Sequence, residues 1–553
     1  VGYRLLLYRL GRFITAFAFV LLIPILVGLY FKFIADTNHY PQPSAIVAFV
    51  ITFFISLIVG GIMLFFGKKG SHQMYAKETI ILVVLIWISA TFLGSLPYVF
   101  SGTLNRIEDA WFESVSGFTT TGNTIIYPKK FATGGHEVKH VLNSSFEGEV
   151  KRAFYGNIAP VRDAHGNVLK EGLDAIPREL LFWRHFSQWI GAMGVICLFA
   201  ALFPLLGIGM RNVFQIEMPG VLQEGIAPRI QHTVKRLIKV YFILSIMQIL
   251  LMKITNFHMP WFDAICTTFS TISTGGFAVI SGGIATYGVV TEWIIYTFMV
   301  IGGINFALFY FLLKGRFFQW DNTELKSYIF MLLFAGLCLS FTLVGQARPR
   351  AIQDVDFIFT IGASLRQGFF HAASALTGTG YFTSGYTLWP YASQLLVFLL
   401  PFIGGMVGST TGGMKISRNL LLFRSTMRRI QLFFKPDTVR VMKVGRVRVN
   451  DSYLQDVFAL FWLVIAVTTI STFVFVIEGY GANFSLGVIS SMVTNSGMPF
   501  AGLPSEHSCG CVMGSMVFLP PNLKFMSIFL MLLGRLEYFI LLILFVPSFW
   551  RRG

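Results

Sequence analysis

Read from the N-terminus, the chain alternates long apolar runs with short polar breaks. Runs such as "FITAFAFVLLIPILVGLYF" (13–31), "AIVAFVITFFISLIVGGIMLFF" (45–66) and "TIILVVLIWISATFLGSLPYVF" (79–100) carry no charge. Each is long enough to cross a bilayer as one helix of about 20 residues. The same pattern predicts further spans at 183–206, 234–254, 288–313, 327–346, 391–423, 454–477 and 525–549, about ten in all. Between several pairs of spans lies an apolar segment too short to cross, ending in a run of Gly, Thr and Ser. These segments are "AWFESVSGFTTTGN" (110–123), "WFDAICTTFSTISTGGF" (261–277), "GFFHAASALTGTGY" (368–381) and "FSLGVISSMVTNSGM" (484–498). Such runs cannot face hydrocarbon, where each unpaired backbone donor or acceptor costs several kcal/mol. They must line something polar.

Aligned on one glycine, the four runs superpose as Thr119-Thr120-Thr121-Gly122-Asn123, Ile272-Ser273-Thr274-Gly275-Gly276, Thr377-Gly378-Thr379-Gly380-Tyr381 and Thr494-Asn495-Ser496-Gly497-Met498. The repeated unit is span, short half-helix, extended polar return, span, and a repeat of this length governs the architecture. A half-helix that stops in mid-membrane aims its partly negative C-terminal end at the centre. The extended run after it offers carbonyls that can replace an ion's hydration shell, and glycine lets successive carbonyls face one axis. The runs contain no Lys or Arg, which excludes an anion site. The candidate cation ligands are therefore Thr120, Thr121, Gly122, Ser273, Thr274, Gly275, Gly378, Thr379, Gly380, Asn495, Ser496 and Gly497. The expected fold is an all-α polytopic membrane protein whose four parallel helix–pore loop–helix repeats form a pseudo-tetrameric pore.

Composition agrees: 55% of the residues are hydrophobic, 12% are charged, and phenylalanine alone accounts for 58 positions. No cleavable signal is evident, because the first apolar run is too long for a signal core. Charge then orients the spans. Placing the N-terminus inside collects Arg4, Arg9, Arg12, Lys68, Lys69 and Lys77 in the cytoplasm, followed by Arg211, Arg229, Lys235, Arg236, Lys239, Lys314, Arg316 and Lys326. The richest inner loop runs from Lys415 to Arg448, and Arg551 and Arg552 close the tail. Both termini are expected in the cytoplasm by the positive-inside rule. The net charge of +17 is thereby largely topology. Nucleic acid is not an expected partner, since no soluble domain is visible to carry a basic face.

The four filter-like runs, together with "LFWRHFSQWIGAMGVI" (181–196), "PFIGGMVGSTTGGMK" (401–415) and "LGRLEYFILLILF" (533–545), resemble the Trk/Ktr/HKT superfamily of potassium transporters, nearest its TrkH-type membrane subunits. The resemblance covers nearly the whole chain. It implies potassium as the transported ion, no organic cofactor, a homodimer of pores in the cytoplasmic (inner) membrane, and a cytoplasmic nucleotide-binding regulatory subunit of TrkA type. The basic loop Lys415–Arg448 is a candidate docking face for that subunit. Glycine at the aligned position of all four runs is what the resemblance associates with potassium selectivity.

The implied organisation is an N-terminal two-helix domain (1–70), then pore repeats at 71–210, 211–315, 316–430 and 431–553. Eight small residues in ten, from Gly404 to Gly413, break the helix pattern inside the third repeat. Irregular backbone at that depth is tolerated where it lines a cavity. The resemblance makes 401–415 an intramembrane gating loop, with Gly404, Gly405, Gly408, Ser409, Thr410, Thr411, Gly412, Gly413 and Lys415 as gate residues. Arg535 joins them: it falls about eleven residues into the last span, where an ionisable side chain is a functional candidate, and the family carries an arginine there pointing into the conduction path. Glu537 cannot pair with it along one helix face, because i and i+2 diverge.

Other features carry less. "GGMVGSTTGGMK" has Met414 where a phosphate loop needs lysine, and no strand precedes it. Glu108, Asp109 and Asp263 open the half-helices and suit dipole compensation. The polar segment 127–178 reads as an outer insertion that caps the pore or shields its mouth, and its "NSS" (143–145) matches a glycosylation acceptor. His507, Cys509 and Cys511 fall short of a four-ligand zinc set. No nucleophile–base pair or carboxylate dyad stands out, so an enzyme is not expected.

Overall fold

The computed structural model describes residues 3–35, 41–67, 76–132, 136–142, 152–163, 165–202, 228–315, 322–346, 360–434, 443–444, 447–449, 451–499 and 515–551. The "HSCGC" and "NSS" motifs lie outside them. Six described helices are long and apolar enough to cross a membrane, and up to eight if each sharply bent pair counts as one span.

The chain opens with Tyr3–Val20 and Leu22–Phe33, followed by Ile46–Phe66. Glycines let the first and third of these approach: a methyl on Gly11 would stand 3.0 Å from the Gly60 carbonyl, the small-residue packing that replaces hydrophobic drive inside a bilayer. The order outer helix, pore helix, inner helix then recurs four times. The outer helices are Ala76–Phe100, Pro228–Thr255, Thr323–Leu343 and Asp451–Ile477. The pore helices are Ile107–Phe118, Trp261–Ile272, Ile361–Thr377 and Ala482–Val493. The inner helices begin at Arg178, Val289, Tyr391 and Pro521.

Burial runs opposite to that of a water-soluble protein. The outer helices leave Phe330, Leu333, Phe334, Leu337 and Phe341 exposed, while Ser114, Ser116, Thr267, Ser270, Ser374 and Ser490 of the pore helices are buried. Apolar side chains can face lipid at no cost, whereas hydroxyls need partners inside. Many bond the carbonyl four residues back in their own helix, as Thr271 does to Thr267 and Thr377 to Ala373.

Three expected spans are broken. The stretch 391–423 is not one helix: Tyr391–Ile403 is followed by irregular backbone and by a new helix, Ile416–Phe434. Pro401 and the glycines after it end the first piece, as ring and backbone freedom dictate. The last span stops at Arg535, where Glu537 and Tyr538 take positive φ, and the chain turns by 118° into Phe539–Phe545. The second inner helix also bends, by 97°, between Val289–Gly302 and Phe306–Leu313. Asn305 caps the new segment by accepting the Ala307 N–H at 2.9 Å.

Three two-stranded hairpins build the described part of the outer insertion, pairing Lys130–Phe131 with Glu137–Val138, His140–Leu142 with Arg152–Phe154, and Val161–Arg162 with Val168–Lys170. Asn157 ties it to the pore, accepting the Tyr127 N–H at 2.8 Å and donating to the Ile125 carbonyl at 2.7 Å.

Candidate cation filter and the loop beneath it

Each pore helix ends in the same backbone turn. Within two residues of the helix end the chain takes positive φ in every repeat: Thr120 (53°), Thr274 (53°), Gly378 (68°) and Asn495 (52°). One residue later, the N–H of Thr121, Gly275, Thr379 and Ser496 donates to the carbonyl of Ser116, Ser270, Ser374 and Ser491, at 2.8–2.9 Å. Then comes a glycine with positive φ: Gly122 (82°), Gly276 (73°), Gly380 (84°) and Gly497 (63°). This corrects the register of the second repeat by one residue. The glycine equivalent to Gly122 is Gly276, and Gly275 stands where the other runs carry Thr or Ser. Thr274 matches Thr120, and Ser273 is the helix cap matching Thr119.

The four glycines close a ring. A Cβ built on Gly122 would fall within 3.0 Å of the Gly275 carbonyl oxygen, on Gly276 of the Thr379 oxygen, on Gly380 of the Ser496 oxygen, and on Gly497 of the Thr121 oxygen. Each repeat thus abuts the next, and the fourth abuts the first. All four glycines line one cavity of about 40 Å³ with Arg184, Phe277, Tyr381 and Phe382, space for a desolvated ion or a water or two. Thr120, Thr121, Gly378, Thr379, Asn495 and Ser496 are buried directly behind that opening.

A network missed in the sequence braces the ring from outside. Glu113 of the first pore helix accepts the Ile125 N–H at 2.8 Å and the Arg184 Nε at 2.5 Å, both side chains being buried. Arg184 in turn covers the Phe277 ring at 3.5 Å and donates to the Ala278 carbonyl at 3.1 Å. These hydrogen bonds offset the cost of burying the Glu113–Arg184 pair, so the first repeat's inner helix holds the second repeat's return strand. The available signal was Arg184 and Gln188 four residues apart in an apolar helix. Asp109 lies in the first turn of its pore helix, as dipole compensation asks, and also meets the buried Lys524 at 2.6 Å.

The loop Gly404–Lys415 lies against the C-terminal ends of the pore helices. Gly404, Gly408, Gly413 and Lys415 take positive φ. Thr410 Oγ1 donates to the Ile272 carbonyl at 3.1 Å, the last residue of the second pore helix. A Cβ on Gly412 would collide with the Thr494 carbonyl at the end of the fourth. The loop is anchored to the second repeat, with Met406 N–H on Gly303 at 3.0 Å, and to Glu324, which accepts the Val407 N–H at 2.9 Å. Ser409 and Thr411 share a hydroxyl bond at 2.8 Å, and Gly405 N–H meets Thr411 Oγ1 at 3.3 Å. Two cations hold the loop's carbonyls: Lys415 Nζ donates to Thr411, and Arg535 Nη1 to Thr410 at 2.9 Å. Arg535 is buried, and its Nε and Nη2 make no hydrogen bond among the described residues. Glu537 is instead engaged by Arg418 at 2.7 Å.

The family model for TrkH, described as a cation transport protein, matches residues 136–552. The chain belongs to the TrkH family. It is 30% identical to the Trk system potassium uptake protein TrkH of Salmonella typhimurium, covering 98% of each chain. Against the protein of the same name from Halomonas elongata it is 28% identical, covering 99% of each. Among solved structures it is similar to the crystal structure of the potassium transporter TrkH from Vibrio parahaemolyticus, with TM-score 0.79, 27% identity and complete coverage of both chains.

Proposed function

We propose that this TrkH-family chain takes up potassium across the inner membrane by a channel-like path through the glycine ring, gated by the loop Gly404–Lys415. The closed ring of four equivalent turns carries this reading. Backbone carbonyls from four sides can replace the hydration shell of a cation, and the negative ends of four pore helices point to the same place. Thr120, Thr121, Gly122, Thr274, Gly275, Gly276, Gly378, Thr379, Gly380, Asn495, Ser496 and Gly497 form the filter in the corrected register. Below it the loop crosses the path, with Thr410 and Gly412 nearest the filter, and Arg535 adds a like charge. Both termini face the cytoplasm. The chain acts as a homodimer with a nucleotide-binding regulatory subunit on its cytoplasmic face. The relatives' description as proteins of a Trk system supports a partnered assembly, and Arg424, Arg428 and Arg429 on Ile416–Phe434 offer it a basic surface.

Purified protein in liposomes with defined gradients tests the reading. Potassium influx down its own gradient, without added sodium or a proton gradient, is expected, with sodium flux far smaller. Influx that requires a second ion's gradient would make the chain a symporter and overturn the channel-like mechanism.

A further inference from the structure

In three repeats the residue before the ring glycine carries a hydroxyl bonded to the threonine that ends or caps its pore helix. Thr121 meets Thr119 at 2.7 Å, Thr379 meets Thr377 at 2.7 Å, and Ser496 meets Thr494 at 3.1 Å. The second repeat cannot form this bridge, because Gly275 has no side chain. Its place is filled from another helix. A Cβ on Gly275 would fall within 3.0 Å of the carboxamide atoms of Gln188. Gln188 is fully buried, and its Nε2 donates to the Gly275 carbonyl at 2.7 Å. The amide's orientation follows from chemistry, since the reverse flip would set oxygen against oxygen. This carbonyl is the one that abuts Gly122 in the ring. The equivalent carbonyls of Thr121, Thr379 and Ser496 receive no donor among the described residues.

The substitution is specific to one quadrant. Gln188 lies three residues before Gly191, whose added Cβ would strike the Phe118 carbonyl at the end of the first pore helix. Gly302 and Gly534 make the same crossing near Ile272 and Val493, at the ends of the second and fourth. Three residues before these stand Met299 and Met531, both buried. Of these three crossings, only the one beside the turn that lacks its own hydroxyl carries a polar side chain.

We propose that Gln188 is a positioning residue that sets ion selectivity in the second quadrant of the filter, replacing the missing hydroxyl bridge by pinning the Gly275 carbonyl. This rests on the ring being the filter. A glycine without a side-chain tie has the widest backbone freedom in the turn, and a carbonyl free to move closer to the axis accommodates the smaller sodium ion. Removing the amide therefore lowers discrimination while leaving a conducting path.

The test is potassium and sodium uptake by purified, reconstituted wild type, Gln188→Met, Gln188→Ala, the double variant Gln188→Ala/Gly275→Ser, and Gly276→Ser as the reference for the ring. Gln188→Met, which copies the second and fourth repeats, is expected to lower the potassium-to-sodium ratio about tenfold, the scale of one lost buried hydrogen bond, while the protein stays monodisperse. The double variant, with a serine hydroxyl beside Ser273 and room left by alanine, is expected to regain most of that ratio. An unchanged ratio in Gln188→Met beside an altered one in Gly276→Ser overturns the inference and leaves the filter standing. Unchanged ratios in both overturn the filter reading itself. If the single variants fail to assemble and the double does not recover, Gln188 is a packing residue and the inference falls.

Discussion

The filter ring and the loop beneath it are built from the same residues, glycine, threonine and serine, yet they are held in opposite ways. The ring is four copies of one turn, each abutting its neighbour and held by backbone bonds, with hydroxyl bridges in three of them, and the charge at its mouth, Arg184, is paired with Glu113. The loop is a single copy, present in the third repeat alone, and two cations from its own end and from the fourth repeat clamp its carbonyls. Mutual bracing by four like turns favours a single arrangement of the ring. A lone loop, clamped by two cations beside its backbone and hydroxyl bonds, can have a second, and a regulator can bias only an element with two states. On the proposed reading, selectivity and gating thus separate by copy number.

The largest effect should come from breaking the ring. Gly276→Ala places a methyl against the Thr379 carbonyl at positive φ, whereas Gly275→Ala meets only the flexible end of Gln188 and has ordinary φ. Strained φ and a backbone collision together cost several kcal/mol, so potassium selectivity should fall by about a hundredfold or more in the first and far less in the second. Equal effects, read from permeability ratios, would restore the unshifted register. Gly122→Ser should likewise admit sodium.

Next in size is the clamp. A cation about 6 Å from the Arg535 guanidinium is repelled by about 3 kcal/mol at an effective dielectric near 20. Arg535→Ala should therefore raise flux, by about a hundredfold at most, with the potassium-to-sodium ratio unchanged. Loss of assembly without a gain in flux would make Arg535 a structural tie. Lys415→Met removes the ammonium's two hydrogen bonds to Thr411 and should raise resting flux by about three- to tenfold. A parallel shift in selectivity would show that loop and ring are one unit.

The smallest effect concerns the outer insertion. Replacing residues 130–170 with a short Gly/Ser bridge should leave the ion ratio within about twofold, because no described residue of that stretch lines the mouth. The cut stops short of Leu173, which does line it, and of Asp174, which accepts the Ser281 N–H at 3.2 Å. A collapse in selectivity would place the hairpins in the pore wall.

Most of the architecture was legible because lipid imposes a crude code: apolar length marks spans, and a polar run between spans has few places to go. The second repeat was misread by one residue because "STGG" offers two adjacent glycines. The serine six positions before each ring glycine, Ser116, Ser270, Ser374 and Ser491, would have fixed the register. The break at Glu537 and Tyr538 carries no Gly or Pro and left no local signal. Glu113, Arg184 and Gln188 escaped for a different reason. Their partners lie 71 and 87 residues away, and a single apolar helix does not announce what its polar residues will touch.

The ring of contacts also has a handedness. Each glycine faces the carbonyl of the following repeat and never that of the preceding one: first to second, second to third, third to fourth, fourth to first. Injury should therefore travel one way round the pore. A bulky residue introduced at Gly122 presses on the Gly275 turn, and one at Gly497 presses on Thr121. Second-site suppressors of a filter lesion should accordingly arise in the next quadrant along the chain, wrapping from the last to the first, and their distribution would trace the direction of the circle.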